Sequence, residues 1–139
     1  MTQRFAVDAG PLVALLSVHD HYHAWAKSAF SCVTPPIVTC EAVLAEAWHL
    51  LRGAANGQTA LLELITAGTV VIEFSLMAEL AAVKRLVARY RDRPMSLADA
   101  CLVRIAELFD EATVITVDRD FAVYRKNGRQ AIRLVSPFA

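Results

Sequence analysis

Asp8, Glu46, Asp99 and Asp118 stand where this chain has little structural reason to place a charge. Asp8 ends the apolar run Phe5-Ala6-Val7, and Asp118 follows Thr113-Val114-Ile115-Thr116-Val117. Glu46 and Asp99 fall on otherwise apolar helical faces. Carboxylates gathered in one place repel one another, and a hard divalent cation with oxygen ligands, Mg²⁺ or Mn²⁺, relieves the repulsion. If the four acids converge, the chemistry they point to is metal-assisted attack of water on a phosphate group, with no protein nucleophile required.

Each acid also has a plainer reading. Asp8 opens Asp8-Ala9-Gly10-Pro11, where Gly10 permits a tight turn and Pro11 suits the first helical position, so it is well placed as a helix cap. Capping and metal binding are compatible. Glu41 lies in the first turn of its helix, where open backbone donors favour a carboxylate. Glu46 is mid-helix among Ala42, Val43, Leu50 and Gly53, with His49 as a packing or hydrogen-bonding neighbour, and has less of a structural explanation, its plainer reading being a mid-helix glutamate that faces water. Asp99 lies three residues after the cap Ser96; an aspartate there is a short variant of the capping box that reaches back poorly, and its face neighbours Leu102, Val103 and Ala106 are apolar. In Thr116-Val117-Asp118-Arg119-Asp120-Phe121 spacing alone does not decide which acid touches a metal. Asp118 is favoured, with Asp120 as support and Thr116 orienting a carboxylate or a metal-bound water.

The elements that must position these acids alternate. Strands are predicted over Arg4–Val7, Pro36–Val38, Thr69–Glu73, Thr113–Val117 and Ile132–Val135. Helices are predicted over Pro11–Ser17, His21–Phe30, Cys40–Arg52, Gln58–Ala67, Leu76–Tyr90 and Leu97–Phe109, with Gly53, Gly57 and Gly68 as breakers. Alternation of this kind implies an α/β fold, a three-layer α/β/α sandwich with a central mainly parallel sheet. In such sheets ligands bind outside the carboxyl ends of the strands, where Asp8 and Asp118 lie. With no repeat or Pro/Gly/Ser-rich linker, residues 1–139 are expected to form a single domain.

Composition narrows the class. The chain is 56% hydrophobic and 20% charged, far from disordered composition. It has no apolar stretch near the ~20 residues of a membrane span. Met1-Thr2-Gln3-Arg4 leads directly into a strand without the pattern of a secretory signal, so a cytoplasmic location is expected. Cys32, Cys40 and Cys101 fit neither a disulfide framework nor a zinc site and are expected to be small core residues. Net charge is zero, from 14 basic and 14 acidic residues, so bulk electrostatics do not argue for nucleic acid. Distribution does more: 11 of the 14 basic residues lie between Lys84 and Arg133. That half of the chain offers phosphate contacts, with Arg119, Arg125 and Lys126 beside the last acidic segment.

Four segments, in order, resemble the PIN-domain family, most closely the VapC-type toxins. They are Phe5-Ala6-Val7-Asp8-Ala9-Gly10-Pro11-Leu12-Val13-Ala14-Leu15-Leu16, Val38-Thr39-Cys40-Glu41-Ala42-Val43-Leu44-Ala45-Glu46-Ala47, Pro94-Met95-Ser96-Leu97-Ala98-Asp99-Ala100 and Thr116-Val117-Asp118-Arg119-Asp120-Phe121. The resemblance covers almost the whole chain. It implies a Mg²⁺- or Mn²⁺-dependent ribonuclease, with Asp8, Glu46, Asp99 and Asp118 at the family's acidic positions and products ending in a 5′-phosphate and a 3′-hydroxyl. It also implies an RNA substrate, an antitoxin protein that blocks the acidic pocket, and a homodimer, for which Trp48 and the Leu61–Ile65 helix are candidates. Ala9 departs from the family, which often has Thr or Ser there. Two rivals remain: a non-catalytic metal- or RNA-binding module of the same fold, and an aspartate-based phosphotransfer domain, disfavoured because Gly10 stands where a second aspartate is needed.

Overall fold

The computed structural model describes residues 3–138; Met1, Thr2 and Ala139 lie outside the described residues. In chain order the elements are β1 (Arg4–Val7), α1 (Ala9–Leu16), α2 (His23–Ser31), β2 (Ile37–Thr39), α3 (Glu41–Leu50), α4 (Gly57–Thr66) and β3 (Val70–Ile72). There follow α5 (Leu76–Arg89), α6 (Leu97–Leu108), β4 (Ala112–Ile115), a 3₁₀ turn (Arg119–Ala122), β5 (Arg125–Lys126), β6 (Gln130–Ala131) and β7 (Arg133–Val135).

Five strands form one parallel sheet in the order β3-β2-β1-β4-β7. The registers Ala6↔Val38 and Ala6↔Val114 put β1 at its centre. A central parallel strand is covered on both faces, which is why Phe5, Ala6 and Val7 read as an unbroken apolar run and are all buried. From β1 the chain steps outward through β2 to β3, then returns across the sheet to β4. Right-handed crossovers therefore place α1–α4 and α5–α6 on opposite faces, giving the expected sandwich. α6 packs on β1 and β4, with Leu102, Val103 and Ile105 fully buried. Among the described residues no helix is long and apolar enough to cross a membrane.

Several element boundaries differ from expectation, for local reasons. β2 begins at Ile37 rather than Pro36 because proline has no N–H to give; Ile37 N–H makes the first bond, to the Thr69 carbonyl at 2.8 Å. α1 begins two residues early, at Ala9, because Asp8 caps it. Gly10 then serves close packing and not a turn: a Cβ at this position would run into Cγ2 of Val117. The β5–β6 hairpin is absent from the predicted elements, although its Asn127-Gly128 step, with φ of 51° and 84°, is a hairpin signal. Cys40 and Cys101 are core residues as expected, but Cys32 is exposed, since α2 ends beside it and the chain leaves the core toward Pro35 and Pro36. Leu61 is buried core, so of the proposed dimer residues on α4 it is Leu62 that is exposed, as is Trp48 on α3.

Candidate metal centre

The direction of crossover reverses between β1 and β4, and the crevice at their carboxyl ends is where a doubly wound sheet binds ligands. Asp8 enters it directly from β1 and Asp118 from the segment after β4. Asp99 comes from the first turn of α6, which crosses above both strands. One carboxylate oxygen from each of these three residues lies within 4.8 Å of the other two.

Each carboxylate is held by specific donors. Asp8 Oδ1 accepts the Ala9 N–H at 2.8 Å, and its Oδ2 accepts the Thr116 hydroxyl at 2.8 Å. Thr116 Oγ1 in turn accepts the Asp118 N–H at 3.0 Å, so one fully buried hydroxyl ties the ends of β1 and β4 together. Asp118 Oδ1 accepts the Asp120 N–H at 2.9 Å, which opens the 3₁₀ turn. Asp99 does reach back to Ser96, contrary to expectation. The Ser96 N–H meets Asp99 Oδ2 at 3.2 Å while Ser96 Oγ accepts the Asp99 N–H at 3.0 Å, a complete capping box.

Glu46 lies outside the group of three. It is exposed at the rim on α3, yet close enough to act on the others through charge. Asp120 also stands aside, its carboxylate paired with Arg93 at 3.4 Å. His49 is exposed and Glu41 occupies the exposed first turn of α3.

The electrostatics are those of acids without a counter-charge. Burial, opposed by the Thr116 and Ala9 hydrogen bonds and reinforced by Asp99 and Glu46, pushes Asp8 up to about 7. Asp99 is raised chiefly by burial, with repulsion from Asp118 adding to it. Glu46 is raised by partial burial of its carboxyl and then by Asp99 and Asp118. Among the described residues none of these four acids forms an ion pair with a protein cation. A largely buried all-oxygen donor set with no protein cation beside it among the described residues suits a hard divalent cation, and Asp8, Asp99 and Asp118 are the residues that fit one.

The basic residues expected to contact substrate are placed less evenly. Arg119 is exposed, its guanidinium stacked 4.4 Å above the Phe138 ring. Arg125 Nη1 donates to the carbonyls of Ala122, Val123 and Tyr124 at 2.8–3.2 Å. Lys126 is buried with its ammonium on the Asp110 carbonyl at 2.9 Å, so a phosphate contact from it requires that bond to break. Arg93, one of the basic residues clustered between Lys84 and Arg133, approaches through Asp120. Tyr124 went unseen in the sequence: fully buried, it donates its hydroxyl to Asp99 Oδ2 at 3.2 Å. No spacing rule connects Tyr124 with Asp99, 25 positions away in another element.

The PIN domain model matches residues 5–127 of the chain. Ribonuclease VapC26 of Mycobacterium tuberculosis is 25% identical over 115 residues, covering 81% of this chain and 85% of that protein. The crystal structure of VapC20 from the same species, described as a Sarcin-Ricin loop cleaving toxin, superposes with a TM-score of 0.74 at 25% identity, covering 86% of this chain and 93% of the other. PAE2754 of Pyrobaculum aerophilum shares the fold, with a TM-score of 0.53 at 22% identity over 98% of this chain and 92% of that one.

Proposed function

We propose that this chain, which belongs to the PIN-domain family, is a divalent-metal-dependent ribonuclease that hydrolyses RNA phosphodiester bonds as the toxin of a toxin–antitoxin pair. One observation carries the reading. Three carboxylates from three separate segments put oxygens within 4.8 Å of one another at the carboxyl ends of the central strands, with no ion-paired protein cation beside them among the described residues. The relatives support the class of activity, one being a ribonuclease and another a Sarcin-Ricin loop cleaving toxin.

In this reading Asp8, Asp99 and Asp118 hold Mg²⁺ or Mn²⁺, and Glu46 adds a fourth carboxylate from the solvent side. A bound divalent cation supplies stabilisation of charge on the phosphate and a lowered pKa for water. Thr116 keeps Asp8 oriented through its 2.8 Å hydrogen bond, and the Asp120 N–H does the same for Asp118. Arg119 is the exposed cation nearest in sequence to this cluster and contacts neighbouring phosphates; Arg125 and Lys126 support the loop that carries it. Products end in a 5′-phosphate and a 3′-hydroxyl. An antitoxin covers the acidic crevice, and a homodimer uses the exposed Trp48, Leu50 and Leu62.

The test is incubation of the purified chain with structured and unstructured RNA in Mg²⁺, Mn²⁺ or chelator, beside Asp8→Asn and Asp99→Asn. Cleavage is expected to vanish in chelator and to fall on the order of 100-fold or more in both variants. Cleavage that persists in chelator rejects metal dependence. A wild type that is folded, binds Mn²⁺ and leaves all RNA intact makes the chain a non-catalytic binding module.

A further inference from the structure

Both donors to Asp99 fall on the same oxygen. Oδ2 accepts the Ser96 N–H at 3.2 Å and the Tyr124 hydroxyl at 3.2 Å, while the hydrogen bonds of the described residues leave Oδ1 without a partner. The Ser96 bond is explained by helix capping. The Tyr124 bond is not: a wholly buried phenol far along the chain has been brought to one oxygen of one of the three clustered acids.

Tyr124 has little freedom to do otherwise. Its ring packs edge-on against Phe121 at 5.2 Å and against Tyr90 at 5.0 Å. The Tyr90 hydroxyl accepts the Arg125 N–H at 2.9 Å, which fixes the backbone immediately after Tyr124. Phe121 belongs to the 3₁₀ turn that starts at Asp118, so the unit that aims the hydroxyl at Asp99 is the same unit that sets Asp118. A phenol hydroxyl donates one hydrogen bond, and here the acceptor is Asp99.

The geometry points to Tyr124 as a positioning residue of the metal centre: its hydroxyl, with the Ser96 N–H, occupies Asp99 Oδ2 and leaves Oδ1 as the oxygen presented to a divalent cation. This rests on the reading that Asp8, Asp99 and Asp118 hold such a cation. A carboxylate fixed in this way binds through one oxygen, and its loss of orientation weakens metal affinity typically 10–100-fold.

The experiment uses Tyr124→Phe in the full chain, which removes one oxygen and keeps the ring. Mn²⁺ binding is measured by titration calorimetry, and thermal melting in chelator is measured beside it. Leu61→Ala serves as the stability control, since Leu61 is buried on α4, which packs chiefly on α1 and β3 and not on the aromatic group. Tyr124→Phe is expected to weaken Mn²⁺ binding by about 10-fold or more, whereas Leu61→Ala lowers the melting temperature and leaves Mn²⁺ affinity close to that of wild type. Equal Mn²⁺ affinity in wild type and Tyr124→Phe overturns the positioning role while the metal reading stands. An equal loss in Leu61→Ala overturns it too, by assigning the effect to lowered stability. A wild type that takes up no Mn²⁺ overturns both.

Discussion

Thr116 is the residue on which the two central strands and their acids depend most directly. Its hydroxyl gives its proton to Asp8 and accepts one from the Asp118 backbone, and none of its surface is exposed. Thr116→Val keeps the shape and leaves two buried polar groups without a partner, at a cost of about 1–3 kcal/mol. Its hydrogen bond also opposes the rise in the Asp8 pKa, so the variant favours a protonated Asp8 and binds a cation less well. Thermal melting and Mn²⁺ titration are expected to show both losses. A variant matching wild type in the two measurements would show that the hydroxyl holds neither acid.

The element that sets the spacing of the crevice is the first turn of α1 against the segment after β4. Gly10 lies two residues beyond Asp8, and Val117 is the residue before Asp118, so a contact between them fixes how near these acids stand. Replacing a helical glycine by alanine gains about 1 kcal/mol of helix propensity, but overpacking a tight contact costs about 1–3 kcal/mol. Here a methyl would collide with Cγ2 of a β-branched side chain, which is stiff at χ1, so the cost is expected to win. Gly10→Ala should melt earlier and lose nuclease activity, and adding Val117→Ala should restore most of the stability. The double-mutant cycle decides the matter, because additive effects would mean that the two positions do not touch.

Over the whole molecule, the acids make stability depend on pH in an unusual direction. An acid whose folded pKa exceeds its unfolded value binds more protons when folded, so stability falls as pH rises between the two values. Asp8 rises from 3.8 to about 7, and Asp99 and Glu46 shift the same way. In chelator the melting temperature is therefore expected to fall between about pH 5.5 and pH 7, by an amount that for Asp8 corresponds to on the order of 2 kcal/mol. A divalent cation held by these acids, as proposed, is expected to compete with those protons and to stabilise the folded chain by about 2.7 kcal/mol at 100 times its Kd. Its stabilisation should be larger at pH 8 than at pH 5.5. Melts across this range with Mn²⁺ and with chelator check both statements; a chelated protein that grows more stable with rising pH contradicts the coupling.

The order of strands and helices, the placement of Asp8 and Asp118 at strand ends and the misfit of Asp99 on an apolar face were all legible in the chain, because local periodicity and hydrophobicity report burial directly. The family was legible for the same reason, since its four blocks coincide with those element ends. What stayed hidden depended on contacts between distant segments. The sequence alone did not show that Asp99 completes its capping box, that Glu46 stands at the rim while the other three acids close up, or that Lys126 turns inward to a carbonyl. Nor did it show Tyr124 reaching Asp99 from the far side of the 3₁₀ turn. Residue type and spacing determine which groups are able to bind a cation; only the packing of α6 over β1 and β4 decides which oxygens meet, because a hydrogen bond needs a partner at about 3 Å, and distance along a chain does not reveal distance in space.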